Sequence, residues 1–510
     1  MRALAAVLFL AVLPGPASAA TAVPKSFWES TMRQRPSYGF AVAMDPSGYA
    51  YAGGAWSDSR TTVAFKPFLR KYATDGTVVW TRTVAPGGTT VYIESVRALA
   101  VLPGGDVVAA GQVWAGTANK LDGWLARWTA DGDLVWSMTL NGTASGEDAI
   151  NSVAVSGSGD LVVAGWMESL SRPGYPMFWV GNYKAADGSQ SSVPLLVSSW
   201  TSYPDKALDV AVDSSGSVYV VGQIGDPVNG CTDGVIVKLT PSLSSVPDGW
   251  WLYITGTALS STDYTSGVAV ALDGDILVSG GVTDAGVYED AWLGKISVAT
   301  GMVSWSITVD GGEGDYDFGT DVASASDGSI FMAGAVDALY PLPGTSQDAW
   351  VGRFAADGTE AWRYLKDFND HGNDVANRVV AYGGDVIAVG TLQDPNNGPT
   401  FWLARITDNA PQSMPDIRGV TPAPNPWRPG SGGRYDAPAQ RFLNLPAGAR
   451  LRIYTLTGSL VRELVDEDGD GVITWDGRNG GGSDAVSGVY IFAVVPKSGD
   501  VTRGKVVIIR

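Results

Sequence analysis

The sequence predicts an all-β protein: a seven-bladed β-propeller of four-stranded blades, followed by an immunoglobulin-like β-sandwich. Three observations lead to this prediction. The chain has 510 residues, enough for two hydrophobic cores. It contains 65 glycines, 19 tryptophans and 19 tyrosines, and runs with the helical period are missing after the N-terminal segment. A motif that closes with glycine recurs seven times at a nearly constant spacing, which indicates a repeat architecture.

Each repeat begins with a strand, a glycine turn and a second strand, as in GDLVVAG at residues 159–165. Successive closing glycines are 57, 54, 57, 58, 54 and 56 residues apart: Gly54, Gly111, Gly165, Gly222, Gly280, Gly334 and Gly390. A third strand such as DAWLGKI (residues 290–296) leads through an Asp-Gly hairpin to a fourth strand. That strand carries Trp80, Trp136, Trp305 or Trp362, and we expect Trp200 and Trp251 to be equivalent. Four short antiparallel strands make one propeller blade.

The seventh repeat lacks its own fourth strand, because Ile406 and Thr407 are followed by DNAPQSMPD (residues 408–416). The segment SFWEST (residues 26–31) is similar to the fourth strand VWTRTV (residues 79–84). We therefore expect the N-terminal strand, with Trp28, to complete the last blade, which removes an exposed sheet edge. This places the propeller at residues 25–407.

The first 19 residues have the pattern of a secretory signal peptide. Arg2 precedes the apolar residues 3–13, and Ala17-Ser18-Ala19 forms a cleavage site. The apolar run is shorter than the roughly 20 residues that a membrane span needs, and no later run reaches that length. The sequence thus predicts a secreted or cell-surface protein without a transmembrane span.

The net charge of −18 disfavours nucleic acids and anionic membranes as partners, since both bind basic patches. Cys231 is the only cysteine, so no intramolecular disulfide can form, and we expect a small half-buried side chain there. His371 is the only histidine, which excludes a Ser-His-Asp triad and a multi-histidine zinc site. We expect His371 in a solvated loop and predict no catalytic residue.

The repeats, of the form DAWLGKI…G.VSW…GG.G.D…VA…DG.I..AG, resemble the bacterial SBBP family of β-propeller repeats over most of residues 36–406. The resemblance implies the propeller fold but no single activity. The hairpin ATGMVSW (residues 299–305) alone resembles a blade of pyrroloquinoline-quinone enzymes.

Residues 408–416 begin a proline-rich stretch and are predicted to be a linker. Residues 417–510 contain, in order, NPWRPG, RLRIYTLTG, WDGR, SGVY and KVVIIR. They resemble the Ig-like domain of flagellar hook-capping proteins and the sorting domains of type IX secretion cargo. That resemblance implies export through outer-membrane machinery or attachment to the cell surface. The alternative is a plain Ig-like module.

A polar residue stands 17 positions before each closing glycine, in the connection into the innermost strand. The set comprises Glu94, Asp148, Asp205, Asp263, Asp317 and Asn373, with Ser37 in the first blade. One interpretation is that each side chain accepts hydrogen bonds from backbone N–H groups of the turn. The other is a ring of side chains that binds a cation or a polyol. Trp56, Trp114 and Trp166, just after closing glycines, are either packing residues or stacking platforms for sugars.

A candidate calcium loop begins at Asp466. Asp466, Asp468 and Asp470 occupy positions 1, 3 and 5 of such a loop, with Gly471 at position 6. Position 12 is Gly477, where a bidentate glutamate is expected. The alternative is a solvated acidic hairpin, and no other cofactor is predicted.

Taken together, these features favour a non-catalytic extracellular binding or scaffold protein whose propeller presents a surface to a protein or glycan. One alternative is a carbohydrate-active enzyme or lectin, for instance a lyase or hydrolase with carboxylates and tyrosines on the channel face. Another is a quinone-dependent oxidoreductase, which needs a cofactor pocket that the sequence does not reveal. Because propellers support many functions, the fold does not name the ligand.

Overall fold

The computed structural model describes residues 25–510 with internal gaps. The segments outside the description are 33–35, 58–64, 85–93, 115–119, 145, 200, 244–249, 259–260, 284–287, 310–315, 338–346, 367–371, 395–397, 408–420, 424–425, 431–438, 444, 446–448, 467–471 and 496–501. The predicted signal peptide also lies outside the described residues. Every described element is a β-strand, and no helix capable of crossing a membrane is found among these residues. The chain divides into two compact units, Met1–Asp408 and Asn409–Arg510, which are described separately.

The first unit is built from short strands of 3–12 residues. Their bounds are β1 Lys25–Thr31, β2 Ser37–Met44, β3 Ala50–Ser57, β4 Phe65–Tyr72, β5 Val78–Thr83, β6 Ser95–Val101, β7 Val107–Trp114, β8 Leu121–Trp128, β9 Leu134–Leu140, β10 Ala149–Val155, β11 Leu161–Ser169, β12 Arg172–Tyr183, β13 Leu195–Val197, β14 Lys206–Val212, β15 Val218–Asp226, β16 Cys231–Leu239, β17 Trp250–Ile254, β18 Tyr264–Val270, β19 Ile276–Thr283, β20 Glu289–Ser297, β21 Met302–Val309, β22 Phe318–Ser324, β23 Ile330–Asp337, β24 Gln347–Phe354, β25 Glu360–Lys366, β26 Val375–Tyr382, β27 Asp385–Asp394 and β28 Gly398–Thr407.

These strands form four-stranded antiparallel sheets in chain order: β2–β5, β6–β9, β10–β13, β14–β17, β18–β21 and β22–β25. A further sheet has the order β1-β28-β27-β26, so that the first and last strands of the unit are hydrogen-bonded neighbours. Trp28 lies opposite Arg405 in that pairing. The first strand of each sheet packs against the first strand of the next, and β26 packs back against β2. This circular series of sheets is a β-propeller.

A β-bulge occurs at the same place in the first strand of every sheet. The pairing of first and second strands skips one residue, and the skipped residues are Phe40, Arg97, Asn151, Leu208, Ser266, Thr320 and Asn377. The bulge explains the closing glycines of the sequence. A Cβ atom at any of them would lie only 1.9–2.1 Å from a carbonyl oxygen of the first strand, for example 2.0 Å from that of Ser95 at Gly111. Only glycine admits this close approach.

The tryptophans of the fourth strands join neighbouring sheets. The indole N–H of Trp80 donates to the carbonyl of Ala130 (3.2 Å), and its ring covers Gly132 in the hairpin of the next sheet. Trp28 covers Gly76 in the same way and donates to the carbonyl of Thr74. This repeated contact explains why an aromatic residue and a hairpin glycine recur together.

The structure corrects the sequence assignment of the tryptophan in β17. Trp250, and not Trp251, is the equivalent of Trp80, because Trp250 pairs with Lys238 as Trp80 pairs with Lys71. The ring of Trp250 covers Gly301, and alternation along β17 turns Trp251 to the opposite face. Trp200, the other expected equivalent, lies outside the described residues.

The second unit contains two antiparallel sheets, with orders β29-β30-β33 and β32-β31-β34-β35. The strand bounds are β29 Thr421–Ala423, β30 Gln440–Leu443, β31 Arg450–Thr455, β32 Leu460–Val465, β33 Ile473–Trp475, β34 Gly488–Val495 and β35 Thr502–Ile508. Trp427, Trp475 and Phe492 are buried in one core with side chains from both sheets. The unit therefore has a hydrophobic core of its own.

Glu29 of β1 is expected to stabilise the closed ring. Its carboxylate accepts hydrogen bonds from Lys366 (2.7 Å) and Tyr364 (2.8 Å), both on β25 of the adjacent sheet. Burial alone would raise the pKa of Glu29, but the Lys366 ammonium and the hydrogen bonds from Tyr364 and Ser26 together outweigh it, and the pKa falls below the ordinary 4.5. The stabilisation by Glu29 is therefore present above the ordinary pKa of 4.5 and is lost as the pH falls through the lowered pKa.

Replacing Glu29 by Gln should cost about 0.5–1 kcal/mol of unfolding free energy at neutral pH. The difference from the parent protein should shrink at pH values below the ordinary glutamate pKa. Urea unfolding followed by tryptophan fluorescence at both pH values measures this. Glu360→Gln is the control, because Glu360 pairs with Arg363 within a single strand. A Glu29→Gln deficit that is equally large in acid would contradict the interpretation.

Candidate functional site

The predicted ring of acidic side chains is buried. Glu94, Asp148, Asp205, Asp263 and Asp317 are at most 2% exposed, and each precedes the first strand of a sheet. The carboxylates of Glu94, Asp148, Asp205 and Asp263 accept backbone hydrogen bonds. Asp148 accepts one from Glu168 N (2.8 Å) in its own sheet and one from Gly142 N (2.6 Å) after the preceding sheet. Burial nevertheless raises the pKa of Asp148 to about 6.

The same bonding pattern recurs around the ring. Asp263 accepts from Thr283 N (2.7 Å) and Gly256 N (2.9 Å). The second-strand bond is repeated at Asp205 and Glu94, from Gly225 N (2.9 Å) and Trp114 N (3.0 Å). These contacts match the interpretation in which the acids accept backbone hydrogen bonds, and they tie consecutive sheets together. A cation or polyol at this ring is not needed to account for them.

The seventh position of this ring is Asp374 and not Asn373. Asp374 is 1% exposed and accepts a hydrogen bond from Gln393 N (2.5 Å), whereas Asn373 is exposed. The cause is a shorter hairpin. Four residues separate Ala381 from its partner Val386, but five separate the equivalent pair in the preceding sheet. Counting back from the closing glycine therefore overshoots by one residue.

The candidate calcium loop is described only in part. Asp466 is buried, and its N–H donates to the carbonyl of Ala449 (3.0 Å). Asp468 and Asp470 lie outside the described residues, as does His371. Calcium binding by Asp466, Asp468 and Asp470 stays a prediction.

The bulged residues line the centre of the propeller. Together with Tyr264, Phe318, Gly319 and Arg378, all seven surround a cavity of about 410 Å³. A β-bulge re-aims a side chain out of the regular alternation, and here each bulge turns one side chain into the channel. The sequence contains a signal for these positions, since each lies 14 residues before a closing glycine, or 13 in the last sheet.

Hydrogen bonds between neighbouring bulges run around this channel. The side chain of one bulge donates to the carbonyl just before the next bulge, as Asn151 does to Ala207 (2.9 Å) and Asn377 to Gly39 (2.7 Å). Ser266 and Thr320 repeat the bond, and Arg97 donates instead to the amide oxygen of Asn151 (3.0 Å). Phe40 and Leu208 have no side-chain donor.

Arg378 reaches across the channel. Its guanidinium lies 3.3 Å from Asp209 and 3.1 Å from Asp321, and it donates to the carbonyls of Asn151 and Leu208. Asp209 also accepts from Val268 N, and Asp321 from Val379 N, each at 2.8 Å. Burial raises the pKa of Asp321, and the Arg378 charge offsets only part of that rise. Both carboxylates are thus engaged by one guanidinium.

Trp166, one of the candidate stacking platforms, already has cationic neighbours. The guanidinium of Arg97 lies 5.3 Å from its ring centroid, and the ammonium of Lys206 lies 4.5 Å from it. Such distances are those of cation–π contacts. Trp56 similarly packs on Phe68, with ring centroids 5.5 Å apart.

A larger cavity of about 620 Å³ lies between the sheets β10–β13 and β14–β17, and is called the inter-sheet cavity below. Its lining residues are Val197, Ser198, Ser199, Ile224, Gly225, Asp226, Pro227, Val228, Asn229, Cys231, Asp233, Trp251, Tyr253, Thr255, Gly256, Ala258, Ser261 and Asp263. The sequence reasoning missed it. The available signal was the sequence of β16, which reads CTDGV where β8, β20 and β24 read LDGW, EDAW and QDAW.

Three potential ligand atoms converge in the inter-sheet cavity. Oxygen atoms of Asp226 and Asp233 and the sulfur of Cys231 all lie within 4.8 Å of one another. Cys231 is 4% exposed, more deeply buried than the sequence led us to expect. Burial, with smaller contributions from Asp226 and Asp263, raises the pKa of Asp233 to about 7. Asp226 is held by hydrogen bonds from Val228 N (2.7 Å) and Asn229 Nδ2 (2.6 Å).

Comparison with known proteins finds distantly similar solved structures. No family model matches the chain, and no curated protein matches it either. Solved structures similar to it include PorZ, a surface component of the type IX secretion system of Porphyromonas gingivalis, at 15% identity and a TM-score of 0.42. That alignment covers 92% of this chain and 59% of PorZ, so the chain spans less than two thirds of that protein.

Two other similar structures are a polysaccharide lyase and a further propeller. The polysaccharide lyase Uly1 is 13% identical, with a TM-score of 0.44 and coverage of 73% of this chain and 90% of the lyase. The Dos1 propeller is 9% identical, with a TM-score of 0.39 and coverage of 76% and 96%. Identities and TM-scores this low carry no activity over to this chain.

Arg378→Gln should destabilise the protein by about 3–5 kcal/mol at neutral pH, because it leaves Asp209 and Asp321 buried without a cation. Without Arg378, less opposes the effect of burial, and the pKa of Asp321 in the folded state rises further above its unfolded value. The stability of the variant then falls as the pH rises from the unfolded pKa of Asp321 to its raised folded pKa. The stability deficit of Arg378→Gln should therefore shrink in acid. Urea unfolding across this pH range checks the prediction.

Arg97→Gln is the matched control, because Arg97 is also a channel arginine but donates to the neutral amide of Asn151. Its loss should be smaller and should not recover in acid. Adding Asp321→Asn to Arg378→Gln should restore part of the stability. A pH-independent deficit in Arg378→Gln, with no rescue, would rule out the charge network as its cause.

Proposed function

We propose that the protein is a non-catalytic extracellular binding protein in which a closed seven-bladed propeller holds a small ligand in the inter-sheet cavity. The first-strand contacts that lead from β2 through each sheet to β26 and back to β2 support seven blades in one ring. The channel that all seven sheets line supports the same count.

The inter-sheet cavity is the observation that carries this proposal. Its volume falls within the range of roughly 300–1,000 Å³ that is usual for small-molecule sites. Trp251 and Tyr253 supply aromatic surface, Val197 and Ile224 supply aliphatic surface, and carboxylates also line the cavity. A mostly apolar wall with few converging polar groups is the usual composition of a binding site.

The contacts of the channel carboxylates favour a binding protein over a glycosidase. A glycosidase needs two carboxylates with separate acid and base roles. The channel carboxylates of Asp209 and Asp321 instead share the guanidinium of Arg378. Most of the bulge side chains bond to backbone carbonyls as well. The channel therefore acts as a rigid frame, and we assign the ligand to the inter-sheet cavity.

We also propose that residues 1–19 direct export, that residues 408–416 link the units, and that residues 417–510 are an Ig-like domain for export or surface attachment. The signal-peptide pattern of the N-terminus supports the first step. The separate core of the second unit supports an independent domain. Outer-membrane export machinery or a surface anchor is the partner that the sequence resemblance implies.

The neutral apolar dye N-phenyl-1-naphthylamine should bind the inter-sheet cavity with a saturable rise in fluorescence. Thr255→Trp should weaken this binding at least about tenfold, or about 1.4 kcal/mol, because the indole fills the cavity. Asn141→Trp, at the same position of the sheet β6–β9, should leave it unchanged. Equal dye binding in both variants would place the ligand elsewhere and contradict this part of the proposal.

Deletion of residues 409–510 should leave the melting transition of the propeller intact and should remove the protein from the cell surface. Fractionation of producing cells, with an antibody to the propeller, measures the surface share. The deleted protein should appear in the medium or behind the outer membrane. Unchanged surface display would assign attachment to the propeller instead.

A further inference from the structure

We propose that Asp226, Cys231 and Asp233 form a binding site for a thiophilic divalent cation of the zinc class, with an open coordination position that faces the inter-sheet cavity. The inference deepens the proposed function and rests on it, because it names what two carboxylates and the thiol of the same cavity bind.

The β15–β16 hairpin places these ligands together. Asp226 and Cys231 are direct cross-strand partners, and directly opposed side chains on one sheet face are near neighbours. Asp233 is two residues beyond Cys231 on β16, so the two side chains share that face. Zinc bonds of about 2.0–2.3 Å in a tetrahedron require ligand atoms about 3.5 Å apart. The present separations of at most 4.8 Å require only side-chain adjustment.

A buried polar group without a partner points to a missing ligand. The Cys231 side chain is 4% exposed, and its thiol makes no hydrogen bond to any described residue. The carboxylate of Asp233 is half-buried and likewise has no hydrogen-bond partner among the described residues. Burying polar groups without partners costs free energy. One cation between them satisfies the thiolate and both carboxylates together.

The surroundings suit a cation. Asp263 adds a further negative charge, and no lysine or arginine is found among the lining residues that the structure describes. The hydrogen bonds from Val228 N and Asn229 Nδ2 orient the Asp226 carboxylate. Such outer contacts fix the direction of a metal ligand and support its affinity.

The donor atoms select the class of metal. Calcium and magnesium prefer oxygen ligands alone, whereas a thiolate favours zinc and similar borderline ions. Three protein ligands leave the fourth zinc position for water or an exogenous group. In this cavity, that position is open to a ligand lying against Trp251 and Tyr253. The site is separate from the candidate calcium loop at Asp466.

Metal titration of the full-length mature protein tests the proposal. The protein is first stripped with a chelator, desalted and kept reduced with a phosphine that does not bind zinc. Competition with a chromophoric chelator should show one zinc bound per chain. Cobalt should produce a near-ultraviolet thiolate-to-metal charge-transfer band. That band reports directly on the Cys231 sulfur, which no purely structural role of Cys231 would produce.

The variants Cys231→Ser and Asp233→Asn should each weaken zinc binding at least about 100-fold. Removing a group that only hydrogen-bonds to a metal ligand usually costs less than this. Cys231→Ser should also abolish the charge-transfer band. Asp348→Asn is the matched control, because Asp348 faces Val336 on β24 as Asp233 faces Ile224 on β16, at the same strand position. Asp466→Asn controls for the calcium loop. Melting curves without metal confirm that each variant folds.

Absence of the cobalt band, or zinc binding that survives Cys231→Ser and Asp233→Asn unchanged, would overturn the metal site. Dye binding by the metal-free protein separates the two proposals. Dye binding without zinc binding would refute the metal site alone. Zinc binding without dye binding would refute the small-ligand proposal and would leave the metal site standing.

Discussion

The β-bulge in the first strand of every sheet is the constraint on which the propeller depends. It brings a first-strand carbonyl so close to the second strand that only the closing glycine fits. It also turns one side chain per sheet into the channel, where most of these side chains bond to the next sheet. A single local irregularity thus explains the glycine period, the lining of the channel and part of the cohesion between sheets.

Several buried acidic side chains of the propeller accept hydrogen bonds from backbone N–H groups. Asp148, Asp205 and Asp263 each receive backbone N–H groups from two places, and Asp209 and Asp321 receive them from adjacent sheets. Arg378 compensates the two channel acids and joins distant sheets. Against this background, the buried Cys231 thiol and the half-buried Asp233 carboxylate differ, because they line a cavity without such partners. This lack of partners distinguishes the inter-sheet cavity from the sites of the other acids.

Much of the fold was predictable because its causes are local. The glycine period marks the bulges, and the likeness of residues 26–31 to a fourth strand correctly indicated the pairing of β1 with β28. The errors arose where the repeat is irregular. A hairpin one residue shorter moved the buried acid from Asn373 to Asp374. Two adjacent tryptophans left the face of β17 undecided until pairing with Lys238 identified Trp250.

The sequence by itself determined the strands, their repeat and the residues that the backbone geometry demands, since these follow from steric and hydrogen-bonding requirements within one repeat. Only the tertiary structure decided which side chains from different repeats meet. Arg378 lies 57 residues from Asp321 and 169 from Asp209, yet it binds both. The inter-sheet cavity likewise needs two neighbouring sheets. The reason is physical: such convergence depends on how whole sheets twist and pack, and no local pattern encodes it.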